Sequence, residues 1–223
     1  MGKLHVGIIL DGNRRFAKRL MKEPWKGHEF GAEKVKRLFE WAIKLNINEL
    51  TIYCFSLENL NRPKKEFDYL MNLFKKEFEE LKKDKRVHEN KIKINFIGKR
   101  EVLDKELQEK MKSIEELTKN YSGYTINFAL AYGGRQEIIQ AIKKMVEKKQ
   151  ETNEKNLKEN LWLKSEPDLI IRTGGEKRTS NFLPWQSIYS EWIFLDKLWP
   201  EFSEEDLVEC IKEFESRKRR FGG

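Results

Sequence analysis

Short apolar runs alternate with longer stretches of helical period along almost the whole chain, and few folds accommodate that pattern. Residues 4–10 read as a buried strand. A helix pattern follows over 28–46, with Val35, Leu38, Ala42 and Leu45 on one face. Residues 49–55 (ELTIYCF) read as a second strand. Residues 64–86 read as one long amphipathic helix through Phe67, Leu70, Phe74, Phe78 and Leu81. Ile92, Ile94 and Phe96 alternate with polar residues and predict a third strand. Residues 101–120 are helical through Leu103, Leu107, Met111, Ile114 and Leu117. Residues 124–131 are strand and 135–147 helix, with two short strands at 168–171 and 192–195. A last helix over 203–219 is capped by Ser203, with Glu205 and Asp206 in its first turn. The polar stretch 147–167 reads as a surface excursion, because strand-like chain resumes after it. Alternation of this kind predicts an α/β fold with a mainly parallel central sheet and helices on both faces. The 223 residues suit a single domain spanning 1–223.

Composition narrows the class. Hydrophobic residues make up 39% with six Trp, enough for a core. Charged residues reach 37%, against roughly 25% in an average protein, which implies a heavily solvated surface. The net charge of +8 suits an anionic partner: nucleic acid, a membrane surface or a phosphorylated small molecule. It also serves solubility alone. The two cysteines, Cys54 and Cys210, form no metal or redox pair, as expected in a reducing compartment. No apolar run approaches the roughly 18 residues of a membrane span, and the first strand begins too early to leave room for a signal peptide. The expectation is a cytoplasmic protein, with contact to a membrane surface left open.

Three polar clusters follow strands: DGNRR (11–15), SLENLNRP (56–63) and RTGGEKRTSN (172–181). In a doubly wound sheet, ligands bind beyond the carboxyl ends of the strands. Each cluster carries arginine with small or amide residues: Arg14 and Arg15; Asn59 and Arg62; Arg172, Arg178 and Ser180. Gly12, Gly174 and Gly175 let backbone amides approach an anion closely, and the arginine fork matches phosphate oxygens. Taken alone, DGN is an ordinary turn signal, and SLENLNRP is a capped loop with Pro63 opening a helix. Together they suit more than one phosphate. Neither a Walker A loop nor a dinucleotide fingerprint is present. Asp11 beside these arginines would repel an anionic ligand unless a cation bridged them, and Mg²⁺ commonly does so. Otherwise Asp11 forms a surface ion pair with Arg14 or Arg15, worth little.

The blocks HVGIILDGNRRFAK with Gly27-His28, YCFSLENLNRP, NFALAYGGR, DLIIRTGGEKRTSNFLPWQSIYSEWIF, LWPEF and RRFGG resemble, in order, those of the cis-prenyltransferases, the Z-type polyprenyl diphosphate synthases. The resemblance runs from about residue 5 to the end of the sequence. It implies addition of isopentenyl diphosphate units to an allylic diphosphate, farnesyl or geranylgeranyl, with cis double bonds and Mg²⁺. The product would be a long polyprenyl diphosphate. Asp11 matches the catalytic aspartate that manages Mg²⁺. Gly12, Asn13, Arg14 and Arg15, with Phe16 and His28, match the allylic diphosphate site. Ser56, Leu57, Glu58, Asn59, Leu60 and Arg62 match a mobile loop, where Asn59 is given a role in proton removal. Arg172, Arg178, Thr179 and Ser180 match the isopentenyl diphosphate pocket, and Glu191 matches a second Mg²⁺ position. Arg220-Phe221-Gly222 matches a C-terminal segment that reaches the partner's site in a homodimer.

Some positions depart from the common bacterial pattern. Arg14 stands for a glycine, and Phe16 and Leu60 for tryptophans. Pro24 stands where bacterial members often carry a diphosphate-binding Arg, which leaves Lys22 or Lys26 to substitute. DGNRRF is closer to archaeal and eukaryotic members. The apolar faces of helices 28–46 and 64–86 are the expected walls of a hydrocarbon tunnel.

Two other readings compete. A non-catalytic partner subunit would lose motif residues, yet Asp11, Asn59 and Arg178 are present. A basic RNA-binding protein would interleave aromatics with basic residues on one exposed surface, but most aromatics here fall on apolar faces, so no nucleic acid is expected.

Overall fold

The computed structural model describes residues 3–217. Arg220-Phe221-Gly222 lies outside them. The strand-like runs become β1 (Leu4–Ile9), β2 (Ile47–Ser56), β3 (Ile92–Ile97), β4 (Tyr124–Tyr132), β5 (Leu169–Arg172) and β6 (Glu191–Phe194). They form one sheet in the order β3-β4-β2-β1-β5-β6, every pair parallel. The helices are α1 (Asn13–Arg19), α2 (Gly27–Lys44), α3 (Lys64–Lys82), α4 (Lys85–Glu89), α5 (Lys105–Thr118), α6 (Gly134–Glu147), α7 (Glu154–Asn160) and α8 (Glu204–Ser216).

Strand alternation divides the core between two faces. Val6, Ile8, Leu50, Ile52, Phe96 and Phe128 point to one side, where Leu38 of α2, Phe78 of α3, Met111 of α5 and Leu207 of α8 cover them. Ile9, Tyr53, Ala129 and Ile170 point to the other, against Leu163, Phe182 and Leu183. This is the α/β architecture read from the sequence, with helices on both faces.

Four local readings change. The expected helix over 64–86 is two helices, because Asp84 is extended and its carboxylate accepts the Arg86 amide at 2.9 Å, starting α4 afresh. Asp104 caps α5 in the same way through the Leu107 amide at 3.0 Å, so that helix starts at Lys105 and not at 101. The excursion 147–167 contains α7, capped by Asn153, and buries Asn160, Leu161 and Leu163. Residues 13–19, which the sequence reading placed in no helix or strand, form α1.

The start of α1 shows why two glycines are where they are. Gly12 has φ 113°, a left-handed turn that swings the chain from β1 into the helix. Gly27 opens α2 where α1 crosses it, and a Cβ there would lie 1.9 Å from the Asn13 carbonyl oxygen.

β1 and β5 are neighbours in the sheet although far apart in sequence, and Ile9, Tyr53 and Arg172 lie level across β1, β2 and β5. The loops after these three strands therefore open into one crevice.

Candidate active site

Arg172 is the centre of that crevice. It ends β5, is 4% exposed, and donates from Nη2 to Asp11 Oδ2 at 2.8 Å. Its Nη1 donates to Ser180 Oγ at 2.7 Å and to the Arg178 carbonyl. Its Nε is buried with no partner. Arg15 approaches Asp11 from the other side, Nη2 to Oδ1 at 3.1 Å. Asp11 is thus flanked by two guanidinium groups, one buried and one exposed. This is more than the surface ion pair that the sequence allowed as an alternative.

The second loop begins with a 3₁₀ turn over Leu57–Asn61. Asn59 is held inward by a capping box, its Oδ1 accepting the Ser56 amide at 3.2 Å. Glu58 accepts from Asn181 Nδ2 at 3.1 Å, tying this loop to the one after β5. Burial works against the Glu58 charge, but hydrogen bonds from its own amide, Ser56 and Asn181 hold its carboxyl below the usual range.

Pro63 then opens α3, and Glu66 in the first turn, 2% exposed, gathers the basic residues. Its Oε1 accepts from Arg62 Nη1 at 3.0 Å and lies 3.6 Å from Arg14 Nε and 4.0 Å from His28 Nε2. Glu66 escaped the sequence reading. Its i,i+4 spacing from Arg62 is the signal that could have found it.

His28 is neutral throughout the working range. Burial, then the charges of Arg62 and Arg14, push its pKa down to about 3. The unfolded chain binds a proton at His28 near pH 6.5 that the folded chain refuses, so stability falls as the pH drops below that value. Between pH 7 and 5 the wild type should lose about 2 kcal/mol more than His28→Gln by this linkage, as read from denaturant melts at both pH values. Equal losses would remove His28 as the cause.

Ile9, Asp11, Asn13, His28, Ser56, Glu58, Asn59, Arg62, Arg172 and Ser180 line one cavity of about 510 Å³. At Leu10, Asn13, His28 and Cys54 it meets a second, apolar cavity of about 320 Å³ between α2 and α3. Val35, Phe39, Leu70, Phe74, Phe78 and Leu81 wall it, with Phe128 from the sheet. The two helices expected to wall a hydrocarbon tunnel flank this apolar cavity. The Cys54 thiol, pushed up to about 12 by burial, is inert there.

Other expected residues lie outside the cavity. Phe16 packs edge-on against Phe30 at 5.3 Å. Leu57 and Leu60 pack on the core. Arg178 is exposed and pairs with Glu176 at 2.7 Å, and Thr179 is exposed beside it. Lys22 and Lys26 flank Pro24 on the surface turn after α1 and line neither cavity. The amides of Gly174 and Gly175, expected to face an anion, donate instead to the carbonyls of Lys197 and Leu195, both at 2.8 Å.

Glu191 opens β6, level with Leu169 and Val6 at the amino end of the sheet, and pairs with Arg217 at 2.7 Å. It does not share a site with Asp11 in one chain. Among the described residues no group of three acidic, histidine or cysteine side chains could hold a metal ion. Asp11 alone, partly exposed at the cavity wall, suits a cation bound by one carboxylate with the remaining ligands from substrate phosphates and water.

Comparison with known proteins agrees with this geometry. Residues 9–222 match the family described as "Putative undecaprenyl diphosphate synthase". A Pyrococcus furiosus protein described as tritrans,polycis-undecaprenyl-diphosphate synthase (geranylgeranyl-diphosphate specific) is 46% identical, over 98% of this chain and 86% of its own length. The crystal structure of lavandulyl diphosphate synthase from Lavandula x intermedia, in complex with dimethylallyl diphosphate, superposes with a TM-score of 0.90 at 34% identity, covering 98% of each chain. A probable undecaprenyl diphosphate synthase from Campylobacter jejuni superposes over the full length of both chains, with a TM-score of 0.86 at 36% identity. With its motifs gathered in one crevice and these likenesses along almost its whole length, the chain belongs to the cis-prenyltransferase family and is a prenyltransferase.

Proposed function

We propose that this enzyme adds isopentenyl diphosphate units in cis to an allylic diphosphate of farnesyl or geranylgeranyl size and makes a long polyprenyl diphosphate. The observation that carries the reading is the junction of the two cavities. One is lined by Asp11, Asn59, Arg62, Arg172 and Ser180, and the other is a hydrocarbon-lined space between α2 and α3. The name of the Pyrococcus relative favours geranylgeranyl diphosphate as primer.

In this reading Arg14, Arg15 and the Asn13 turn hold the allylic diphosphate, and Arg172 with Ser180 holds isopentenyl diphosphate. Arg178 and Thr179 join the pocket when that loop closes on substrate. Breaking the allylic C–O bond leaves its electron pair on the diphosphate. Fixed guanidinium donors around that leaving group lower the barrier. Mg²⁺ held at Asp11 would neutralise part of the same charge. Asn59, fixed by Ser56, orients the five-carbon substrate beside the point where its proton leaves. Retention of Asp11, Asn59 and Arg172 in one crevice argues against a non-catalytic subunit. Incubation with labelled isopentenyl diphosphate, Mg²⁺ and geranyl, farnesyl or geranylgeranyl diphosphate tests the reading. Long-chain products are expected, and transfer of one unit only, or of none, would refute it.

The enzyme is further proposed to act as a homodimer. Ile139, Ile142 and Val146 form an exposed stripe on α6, and Ile188 and Tyr189 are exposed as well. Apolar surface of this kind marks an interface. Glu191 lies only two residues from Tyr189, and it would reach a metal at Asp11 only across such an interface. Ile142→Asp with Val146→Asp should convert a dimer to monomer in sedimentation velocity, and an unchanged dimer would discard this face. No helix among the described residues is long and apolar enough to cross a membrane. A cytoplasmic setting with peripheral membrane contact at product release completes the proposal.

A further inference from the structure

The apolar cavity ends in charge. At its far end Lys36 of α2 points its ammonium between Glu33, Glu77 and Glu80, at 2.8, 3.0 and 2.7 Å. Glu77 and Glu80 belong to α3, so this cluster stitches the two walls together. Arg86 extends the seam, donating to the Lys36 carbonyl at 2.9 Å and pairing with Glu40. Burial works against the Lys36 charge, but the three carboxylate hydrogen bonds outweigh it and raise its pKa. Phe78, Phe96 and Phe128 pack together on one side of the cavity, with centroids 4.7 to 6.1 Å apart, and close it there.

Length makes this arrangement consequential. His28 marks the diphosphate end, and Lys36 lies eight residues further along α2, which is about 12 Å of helix rise. Three backbone bonds of an extended chain span about 3.5 Å, so a four-bond isoprene unit spans roughly 4.5 Å. A two-unit geranyl chain, at about 9 Å, stops short of Lys36, whereas a four-unit geranylgeranyl chain, at about 18 Å, passes it. A chain that lengthens along α2 therefore meets this cluster of hydrogen-bonded charges.

We propose that Lys36, with Glu33, Glu77 and Glu80, is a gate in the α2–α3 seam through which the growing hydrocarbon leaves the cavity, and that its strength sets the mean product length. The inference rests on the polyprenyl reading for the identity of its ligand. Nothing in the gate touches the reacting atoms.

Lys36→Met removes the ammonium that Glu33, Glu77 and Glu80 share, and Lys36→Arg retains the charge. Lys119→Met removes the lysine of an exposed Lys119–Glu116 pair at the carboxyl end of α5, outside the seam, as a control. With labelled isopentenyl diphosphate, products of Lys36→Met should lengthen by at least one isoprene unit on average. Those of Lys36→Arg and Lys119→Met should match the wild type. Binding measured calorimetrically should show geranylgeranyl diphosphate several-fold tighter to Lys36→Met, and geranyl diphosphate unchanged. Thermal melts identify any variant that has lost its fold, and Glu77→Gln then replaces it with the same expectations. A wild type that transfers nothing would defeat the functional reading, and the calorimetric ratio would still judge the gate. Unchanged product lengths in a folded, active Lys36→Met, or equal changes in affinity for both primers, would overturn the gate.

Discussion

Asp11→Ala should lower turnover at least about 10²–10³-fold, the loss usual for one electrostatic element of a transition state. Asp11→Asn should be nearly as poor, since a neutral amide is a weak ligand for a hard cation. Asp11→Glu, with charge at a longer reach, should retain part of the activity. The two guanidinium groups beside Asp11 add an effect on stability. Arg172 is almost fully buried and its Nη2 donates to this carboxylate. Alanine removes that acceptor and should cost about 1–3 kcal/mol, the penalty of a buried donor left unmade. Asparagine keeps an oxygen for Arg172 and should melt closer to the wild type. The two variants thus separate the structural role, which asparagine largely satisfies, from the catalytic one, which it does not. Turnover of Asp11→Asn near the wild-type value at saturating Mg²⁺ would falsify the catalytic assignment.

Glu66→Ala is expected to have the second largest effect, although Glu66 reaches neither diphosphate. Its carboxylate is buried, accepts a hydrogen bond from Arg62 and forms an ion pair with Arg14, with His28 beside them. Removing one partner of a buried pair costs about 3–5 kcal/mol where both are desolvated. Here Arg62 is partly exposed and Arg14 half exposed, so the lower end applies. The functional loss should be larger, because two arginines and the start of α3 lose their common anchor. A misplacement of about 1 Å costs roughly 10²-fold in rate. The Michaelis constants for the diphosphate substrates should rise together with a fall in kcat. Glu66→Gln keeps an oxygen acceptor for Arg62 and should recover part of both. A Glu66→Ala enzyme that is less stable but kinetically normal would reduce Glu66 to a structural role.

Much of this molecule is written locally. Period-two runs such as Ile92, Ile94 and Phe96, and period-three-and-four runs such as Leu70, Phe74, Phe78 and Leu81, report burial on one face, and burial is what selects strand or helix. Parallel order followed from their alternation, and the crevice from the position of the polar clusters after β1, β2 and β5. Helix ends were less legible. Asp84 and Asp104 start helices by accepting one backbone amide each, a local competition that an apolar stripe running through them conceals. Short α1 was hidden because a glycine turn, an asparagine and two arginines carry no apolar period, and its packing depends on Gly27 fourteen residues away.

The sequence alone determined which residue types stand at the strand ends, and hence pointed to phosphates as ligands and to Asp11, Asn59, Arg62 and Arg172 as candidates to meet them. Tertiary structure decided what those groups do to one another. Only the fold brings Arg172 to Asp11 across 161 positions, ties Arg14, Arg62 and His28 to Glu66, and turns the Gly174 and Gly175 amides toward carbonyls and away from a ligand. Only the fold sets Lys36 among three carboxylates at the end of an apolar cavity. The reason is physical. Secondary structure follows from each segment's own pattern of burial, whereas ion pairing and cavity shape depend on which distant surfaces meet and how much water they exclude.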